Sequence, residues 1–567
     1  MSTRISDRAE QALAETITAD FFHRVCRRVI QDLNDRVRRL LSGVMPGMQS
    51  EISAQDATSL LQDCAKLVET HAHLLASSYS PLRWLWTLRR LPAHVFAGKL
   101  PTTAGYDMLL AEVLSGRSTR AEDRLRVDAH GVCSYPTAGG FPRRISEFCA
   151  AVIYLSELHT RLRWAGKGAV FRIDQYGLPS PVPSEELKGA VRLYDSRTAT
   201  AALPLERGGT VLAQPVGTST KESFILRVDP IEPMYRPLPR FSELPPAPIP
   251  RDADVEACYR FFPTLLSLTP LHRLSEMARS TQIWSREAFI LMVLLWSATI
   301  LVIRHRAGLL SLVTRGYLLL DLRPVEELFN LIIADFPNFF SDLFPSEPPP
   351  DSGASFLEEL SALGGESWPL RAGPIVRTES SFTCLDLHAA TARLDVALEF
   401  SLRGGPTANA RAGHFEYAIQ DLIDQSEWKP GLDLAALRGK PLRFGGRTIT
   451  DLDAIGARGE TLLLVSCKSV VYSASYDVGE YATVRNAAAT VTRAVEEWSR
   501  KIAQLEKQPV GDNYNLSGFR HLIPLVITPT VVYVPLGPST QEVAPGLKAA
   551  ISFKEFARWL QVPDSWP

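Results

Sequence analysis

The stretch Thr448 to Ser469 reads TITDLDAIGARGETLLLVSCKS, and it sets the expectation for the fold of the C-terminal third of the chain. Ile449, Leu452 and Ile455 surround two acids, Asp451 and Asp453, in an apolar setting. Ala457-Arg-Gly-Glu460 has the composition of a tight turn, and Leu462 to Val465 is the continuous apolar run of a buried strand. The spacing predicts a β-hairpin with Asp453 on its first strand and Ser466, Cys467 and Lys468 at the end of its second. Alternate strand residues share a face, so Ser466 and Lys468 are expected to point together and Cys467 to turn away into core packing.

Working outward, Gly413-His-Phe-Glu-Tyr-Ala-Ile-Gln-Asp-Leu-Ile423 has Phe415, Ile419 and Leu422 on one helical face. Glu416 lies beside that stripe, a poor place for an acid unless it serves a partner or an ion. Hydrolysis of a phosphodiester calls for a cation that neutralises developing charge and lowers the pKa of an attacking water. Magnesium takes carboxylate oxygens and keeps several waters. A lysine beside such an ion can orient or deprotonate the water, or stabilise the transition state. An acid and a lysine on adjacent strands, with a second acid from a preceding helix, supply these parts.

A helix carrying Glu416, a strand reading Asp451-Leu-Asp-Ala-Ile-Gly456 and a strand ending Val465-Ser-Cys-Lys-Ser469 together resemble the PD-(D/E)XK, or restriction-endonuclease-like, superfamily. The closest likeness is to branches with a GxxFE helix and a hairpin ending in CKS. The likeness covers about 150–190 residues. It extends to a helix at Thr483–Lys507, an apolar strand pair at Leu522–Val534 and a terminal helix within Ile551–Leu560. The resemblance implies a multidomain α+β protein ending in a nuclease-type α/β core with a mixed central sheet. It implies Asp453 and Glu416 as ligands of Mg²⁺ or Mn²⁺, Lys468 as the catalytic lysine and Asp451 as an auxiliary acid. It further implies endonuclease activity on DNA, with RNA as the alternative, in a setting such as bacterial restriction or anti-phage defence. One position departs from the pattern: Ser466 stands where the family has an acid two residues before the lysine. Glu460 cannot replace it, because six strand residues place it roughly 20 Å away. The second expectation is therefore a catalytically degenerate nuclease-fold protein that binds nucleic acid or serves as a scaffold.

The rest of the chain bounds these readings. At 567 residues, with 46% hydrophobic and 22% charged residues, it is a globular protein of several domains. The net charge of −1 is low for a protein that coats nucleic acid, so such contacts would need local patches. Seven scattered cysteines without CxxC spacing exclude a zinc ribbon and fit a reducing, cytoplasmic compartment; Met1–Ala14 lacks the apolar core of a signal peptide. No GxxxxGK[ST] phosphate loop is present, which excludes a P-loop ATP motor. Residues 1–165 read as a helical domain, including amphipathic Ala12–Leu41 and Ala54–Leu75. Residues 166–228 read as a small β unit with strands at Ala169–Ile173, Ala190–Tyr194 and Phe224–Val228. A connector follows at 229–251, with eight prolines in 23 residues, then a helical region at 252–345, a linker at 346–370 and the nuclease-like unit at 371–567. Ala288–Ile303 is apolar for sixteen residues, short of the roughly 20 a spanning helix needs, and reads as a buried helix rather than a membrane segment. Arg83-Trp-Leu-Trp-Thr-Leu-Arg-Arg90 reads as a buried face flanked by surface arginines. The helical regions are expected to recognise substrate, a protein partner or a second copy of the chain.

Overall fold

The computed structural model describes residues 8–44, 51–92, 94–96, 101–121, 125–127, 133–137, 139–173, 178–202, 317–335, 350–363, 375–377, 382–386, 405–470 and 479–561, with a few single positions between them. Among them the chain is a mixed α+β protein with several small sheets, one of which is a mixed four-stranded sheet.

Apolar residues at three- and four-residue spacing build the N-terminal helices α1 (Arg8–Thr16), α2 (Ala19–Val44), α3 (Ala54–Ala76), α4 (Pro81–Leu88), α5 (Pro101–Gly116) and α6 (Phe141–Gly166). The single helix expected from Ala12 is broken at Thr18, whose hydroxyl accepts the Phe21 N–H (3.3 Å) and starts α2. Ser53 caps α3 in the same way through Asp56, and α3 packs along α6 over Leu61, Val68, Phe148 and Leu155. Trp84 and Trp86 are buried as the helical reading requires, but the arginines around them are not at the surface. Arg83 lies over the Tyr79 and Phe141 rings at 4.2 and 4.5 Å and donates to the Pro136 carbonyl (2.8 Å), so its charge is held inside by π faces and an acceptor.

A short antiparallel sheet joins β1 (Glu51–Ile52), β2 (Val170–Ile173) and β3 (Pro179–Val182) in that spatial order. The strand expected at Ala190–Tyr194 is instead part of α7 (Glu185–Ala202). The Ser184 hydroxyl accepts the Leu187 N–H (3.2 Å), two glutamates occupy the first turn, and Leu187, Val191 and Tyr194 keep helical spacing. Phe224–Val228 and the proline-rich connector lie outside the described residues. In the middle region, β4 (Tyr317–Asp321) runs directly into α8 (Leu322–Asp335), so a strand stands where helix was expected. The expected linker contains α9 (Gly353–Ala362), packed on α8 through Phe329 and Phe356, whose ring centroids are 4.7 Å apart. β5 (Ile375–Arg377) and β6 (Phe382–Asp386) join β4 in the order β4-β6-β5 and so belong to this sheet, not to the one that carries the candidate site. Within Ala288–Ile303 the described residues Ile290, Leu291, Leu294 and Leu301 are buried, and no helix among the described residues is long and apolar enough to cross a membrane.

The C-terminal core begins with α10 (Gly405–Asp424), followed by the hairpin β7 (Leu442–Phe444) and β8 (Arg447–Thr450). Next come β9 (Ala454–Arg458), β10 (Thr461–Cys467), α11 (Tyr481–Lys507), β11 (His521–Thr528), β12 (Ala550–Ser552) and α12 (Phe553–Trp559). The sheet order is β9-β10-β11-β12; β9 and β10 are antiparallel, while β10, β11 and β12 are parallel. The apolar run of β10 is explained by burial on both faces. Leu462 and Leu464 meet Val491, Val495, Trp498 and Ile502 of α11. Leu463 and Val465 meet Phe415, Ile419 and Ile423 of α10 and Phe556 of α12. Burying each such side chain contributes about 1.5–3 kcal/mol. The second apolar strand expected up to Val534 does not form: Pro529 ends the ladder after β11, and Val531–Val534 bury their side chains without pairing.

Candidate active site

Two residues, Gly459 and Glu460, turn β9 into β10, with Gly459 at φ +56°, a left-handed conformation that favours glycine. The register Ala454↔Val465 places Asp453 just before β9, level with Ser466. The Asp453 Oδ2 accepts the Cys467 N–H at 2.6 Å and the Ser466 hydroxyl at 3.4 Å, so this carboxylate ties the end of β10 to the start of β9. Lys468 follows β10 directly, half-buried, its N–H donating to the Ile527 carbonyl of β11 (2.9 Å). Ser466 is buried, whereas Cys467 packs with the Phe415–Leu463 cluster on the α10 side of the sheet.

Glu416 projects from α10, half-buried, one residue past the buried Phe415. What positions it is a residue that sequence reasoning passed over. Gln420, one helical turn on and buried, donates through Nε2 to the Ile455 carbonyl (3.0 Å) and accepts the Ile455 N–H on Oε1 (2.9 Å). A single amide thereby pairs both outward backbone groups at one point of the edge strand β9, and the Trp428 carbonyl takes the Ala457 N–H (2.9 Å) further along. Gly456 permits this closeness, since a Cβ there would meet Ile423 Cγ2 at 3.0 Å and the Trp428 carbonyl oxygen at 3.2 Å. A polar residue within an apolar helical stripe is the signal that could have revealed Gln420.

The electrostatics place the charged residues in one neighbourhood. Burial pushes the Glu416 carboxyl above its usual range, and the charges of Asp453 and Asp451 push it further, against the pull of Arg438 and Lys468. Burial also raises Asp453, opposed by the Cys467 N–H, by Lys468 and by the Ser466 hydroxyl, while Asp451 adds to the rise. The Cys467 thiol is pushed well up by burial and by the charges of Asp453 and Glu416, which leaves it protonated and a poor nucleophile. Arg438, also unforeseen, lies with its guanidinium 4.3 Å from the centre of the exposed Tyr417 ring, next to Glu416. It is held there because the Gly439 N–H donates to the Leu452 carbonyl (2.9 Å). Glu416 and Asp453 thus lie within reach of the charges of Asp451 and Lys468, Arg438 acts on Glu416 as well, and the neutral Ser466 hydroxyl meets Asp453.

Among the described residues no group of three or more His, Cys, Asp or Glu side chains is gathered closely enough to hold a metal ion. The nearest candidate donors are the Glu416 and Asp453 carboxylates, from different elements, with Asp451 as a further acid, all oxygen and partly withdrawn from water. Their mutual charge is what a hard divalent cation relieves, with water and substrate oxygens filling its remaining positions. Comparison with family models, with curated proteins and with solved structures returns no match for this chain.

Proposed function

We propose that the C-terminal core is a restriction-endonuclease-like domain and that the chain is a metal-dependent nuclease acting on the phosphodiester bonds of DNA. The observation that carries this reading is the Asp453 carboxylate, tied to the Cys467 N–H at the end of the sheet and near enough to Lys468 for that charge to act on it, as it acts on Glu416 of the neighbouring helix. Acids raised by burial and mutual charge at the end of a sheet are poised for function rather than for stability. A bound Mg²⁺ or Mn²⁺ would supply the Lewis acid and an ionisable water. Asp453 and Glu416 would hold it. Lys468 would orient the water or balance charge on the phosphorane-like transition state, and Arg438 would add a second cation near Glu416.

The test is cleavage of plasmid DNA by the full chain with Mg²⁺ or Mn²⁺, comparing wild type with Asp453→Ala and Lys468→Ala. The expected result is nicking or linearisation by wild type, lost by at least about a hundredfold in either variant. Equal cleavage by all three proteins would remove these residues from the site.

Ser466 favours a second reading, a nuclease-fold protein that binds nucleic acid without cutting it. Its hydroxyl, 3.4 Å from Asp453, offers no negative charge to an ion. Calorimetric titration with Mg²⁺ separates the two: ion binding that requires Ser466→Glu would support the non-cleaving reading, and binding by wild type would oppose it.

A further inference from the structure

Two acids and a neighbouring third repel a polyanion, and a chain of net charge −1 provides no general attraction to bring one in. If the site handles phosphodiesters, cations close to it must do so. They are concentrated in one place: residues 429–450, leading directly into Asp451 and Asp453, hold five basic residues, Lys429, Arg438, Lys440, Arg443 and Arg447, against the single acid Asp433. Lys440, Arg443 and Arg447 are exposed, and among the described residues none of the three pairs with a carboxylate.

This segment is a braced surface and not a loose loop. In the β7–β8 ladder Arg447 is level with Phe444 and Thr448 with Arg443, so the arginines lie on opposite faces of the ribbon. Behind the ribbon, the Asp512 carboxylate accepts the Gly445 and Gly446 N–H groups (3.1 and 2.8 Å). The Asn513 side chain accepts the Arg443 N–H and donates to the Pro441 carbonyl, both at 2.9 Å. The Asp512 N–H reaches the Arg443 carbonyl (2.7 Å), and Gly511 lets the chain come that close, because a Cβ there would lie 2.4 Å from the same oxygen. Every brace uses backbone of the ribbon or the acid's own oxygens. The cationic side chains are left free of these braces, one arginine exposed on each face of the ribbon, with Phe444 41% exposed beside them.

We infer that the β7–β8 ribbon and the adjoining Arg438–Lys440 turn form the surface that grips the sugar-phosphate backbone of DNA and delivers it to the acid pair. The inference rests on the phosphodiester reading of the neighbouring site. A backbone of evenly repeated phosphates matches cations distributed over a rigid ribbon better than a single acidic group does, and release of its counterions makes the contact salt-dependent.

The experiment measures binding of the full chain to a fluorescein-labelled DNA duplex of about 30 base pairs in EDTA, across a salt series, for wild type and the triple variant Lys440→Glu, Arg443→Glu, Arg447→Glu. The expected result is a loss of at least about tenfold in affinity and a salt slope smaller by about 2–3, since each of these side chains would neutralise about one phosphate. The neutral variant with all three as Gln should fall between, and circular dichroism of both should match wild type because the three side chains are exposed. Unchanged affinity and slope in the folded triple variant would overturn the inference, as would a wild type that prefers anionic vesicles or an acidic peptide to DNA. Plasmid cleavage run in parallel keeps the two proposals apart. Ribbon-dependent binding without any cleavage would sink the nuclease reading and leave the ribbon standing; cleavage that survives in the triple variant with unchanged binding would do the reverse.

Discussion

The N-terminal helical region and the C-terminal core treat buried charge in opposite ways. In the first, Arg89 is nearly buried and hydrogen-bonded to its opposite charge throughout: its guanidinium bonds Glu112 at 2.8 and 3.1 Å and Asp386 at 2.8 and 2.9 Å, joining the end of α4 to α5 and β6. Burial works against that cation, yet the two acids hold its pKa above the ordinary arginine value. Arg197 of α7 is spent in the same manner on Glu555 of α12 (2.7 and 3.0 Å) and the Ala550 carbonyl, fastening the helical region to the core. At the core's own acid cluster the balance reverses. Glu416 and Asp453 are raised, not lowered, first by burial and then by the charge of neighbouring acids. Breaking a matched buried pair destabilises a fold, whereas mismatched acids at a sheet end mark a candidate site.

The largest break in this comparison is expected at the matched site. Arg89→Met leaves two acids facing each other in the interior without their cation, and removal of one partner from a buried pair costs about 3–5 kcal/mol. Urea unfolding followed by tryptophan fluorescence should show the transition that includes the α4–α5 region moving to lower urea. A midpoint unchanged from wild type would mean that the bridge is not structural. Next in size is Gln420→Ala, which deprives both outward backbone groups of Ile455 of their partner inside the protein, at about 2–3 kcal/mol. It should also loosen Glu416 relative to Asp453, so that divalent-ion affinity falls more than the fold does. Titration with Mg²⁺ by calorimetry, beside thermal unfolding, would separate those effects, and intact ion affinity in a destabilised variant would remove Gln420 from the site's support.

How much of this was legible in the sequence depended on whether a residue's role was set by its neighbours in the chain. The hairpin was legible because a two-residue turn and an apolar run are local signals; only its limits shifted, with Asp453 and Lys468 flanking the strands instead of lying in them. Glu416 was legible as an acid beside an apolar stripe. Arg438 was not, because a lone arginine in a loop carries no pattern; a backbone bond to Leu452 brings it to the site. The ribbon of residues 442–450 was missed for a related reason, its bracing coming from Asp512 and Asn513 some seventy residues on. Ala190–Tyr194 was misread because five residues cannot distinguish a period of 2 from one of 3.6, and the decisive cap, Ser184, lies outside that window.

A divalent ion should repair the mismatch. In EDTA, addition of Mg²⁺ should raise the melting temperature of wild type by on the order of 2–4 °C, the shift that about 1 kcal/mol of binding energy gives a domain of this size. Asp453→Asn, which keeps an acceptor for the Cys467 N–H but removes the charge, should lose most of that rise. An equal rise in both proteins would place the ion elsewhere.

The smallest effect is the most diagnostic, because it has the opposite sign to that of an ordinary substitution. The folded-state pKa of Glu416 is raised, so between its ordinary value and the raised one the native state binds more protons than the unfolded state. Stability therefore falls as pH rises through that window and carries the full penalty above it. Glu416→Gln removes the penalty. In EDTA the variant should melt higher than wild type at pH 7.5, by on the order of 1–2 °C given that the residue is only half-buried and screened by water. Below the ordinary carboxylate range the two should coincide, since wild-type Glu416 is then protonated in both states. With saturating Mg²⁺ the order should invert at pH 7.5, because the glutamate then gains what the glutamine cannot. A variant that melts lower than wild type in EDTA at pH 7.5 would mean that Glu416 is matched after all, and the contrast between the two regions would lose its footing.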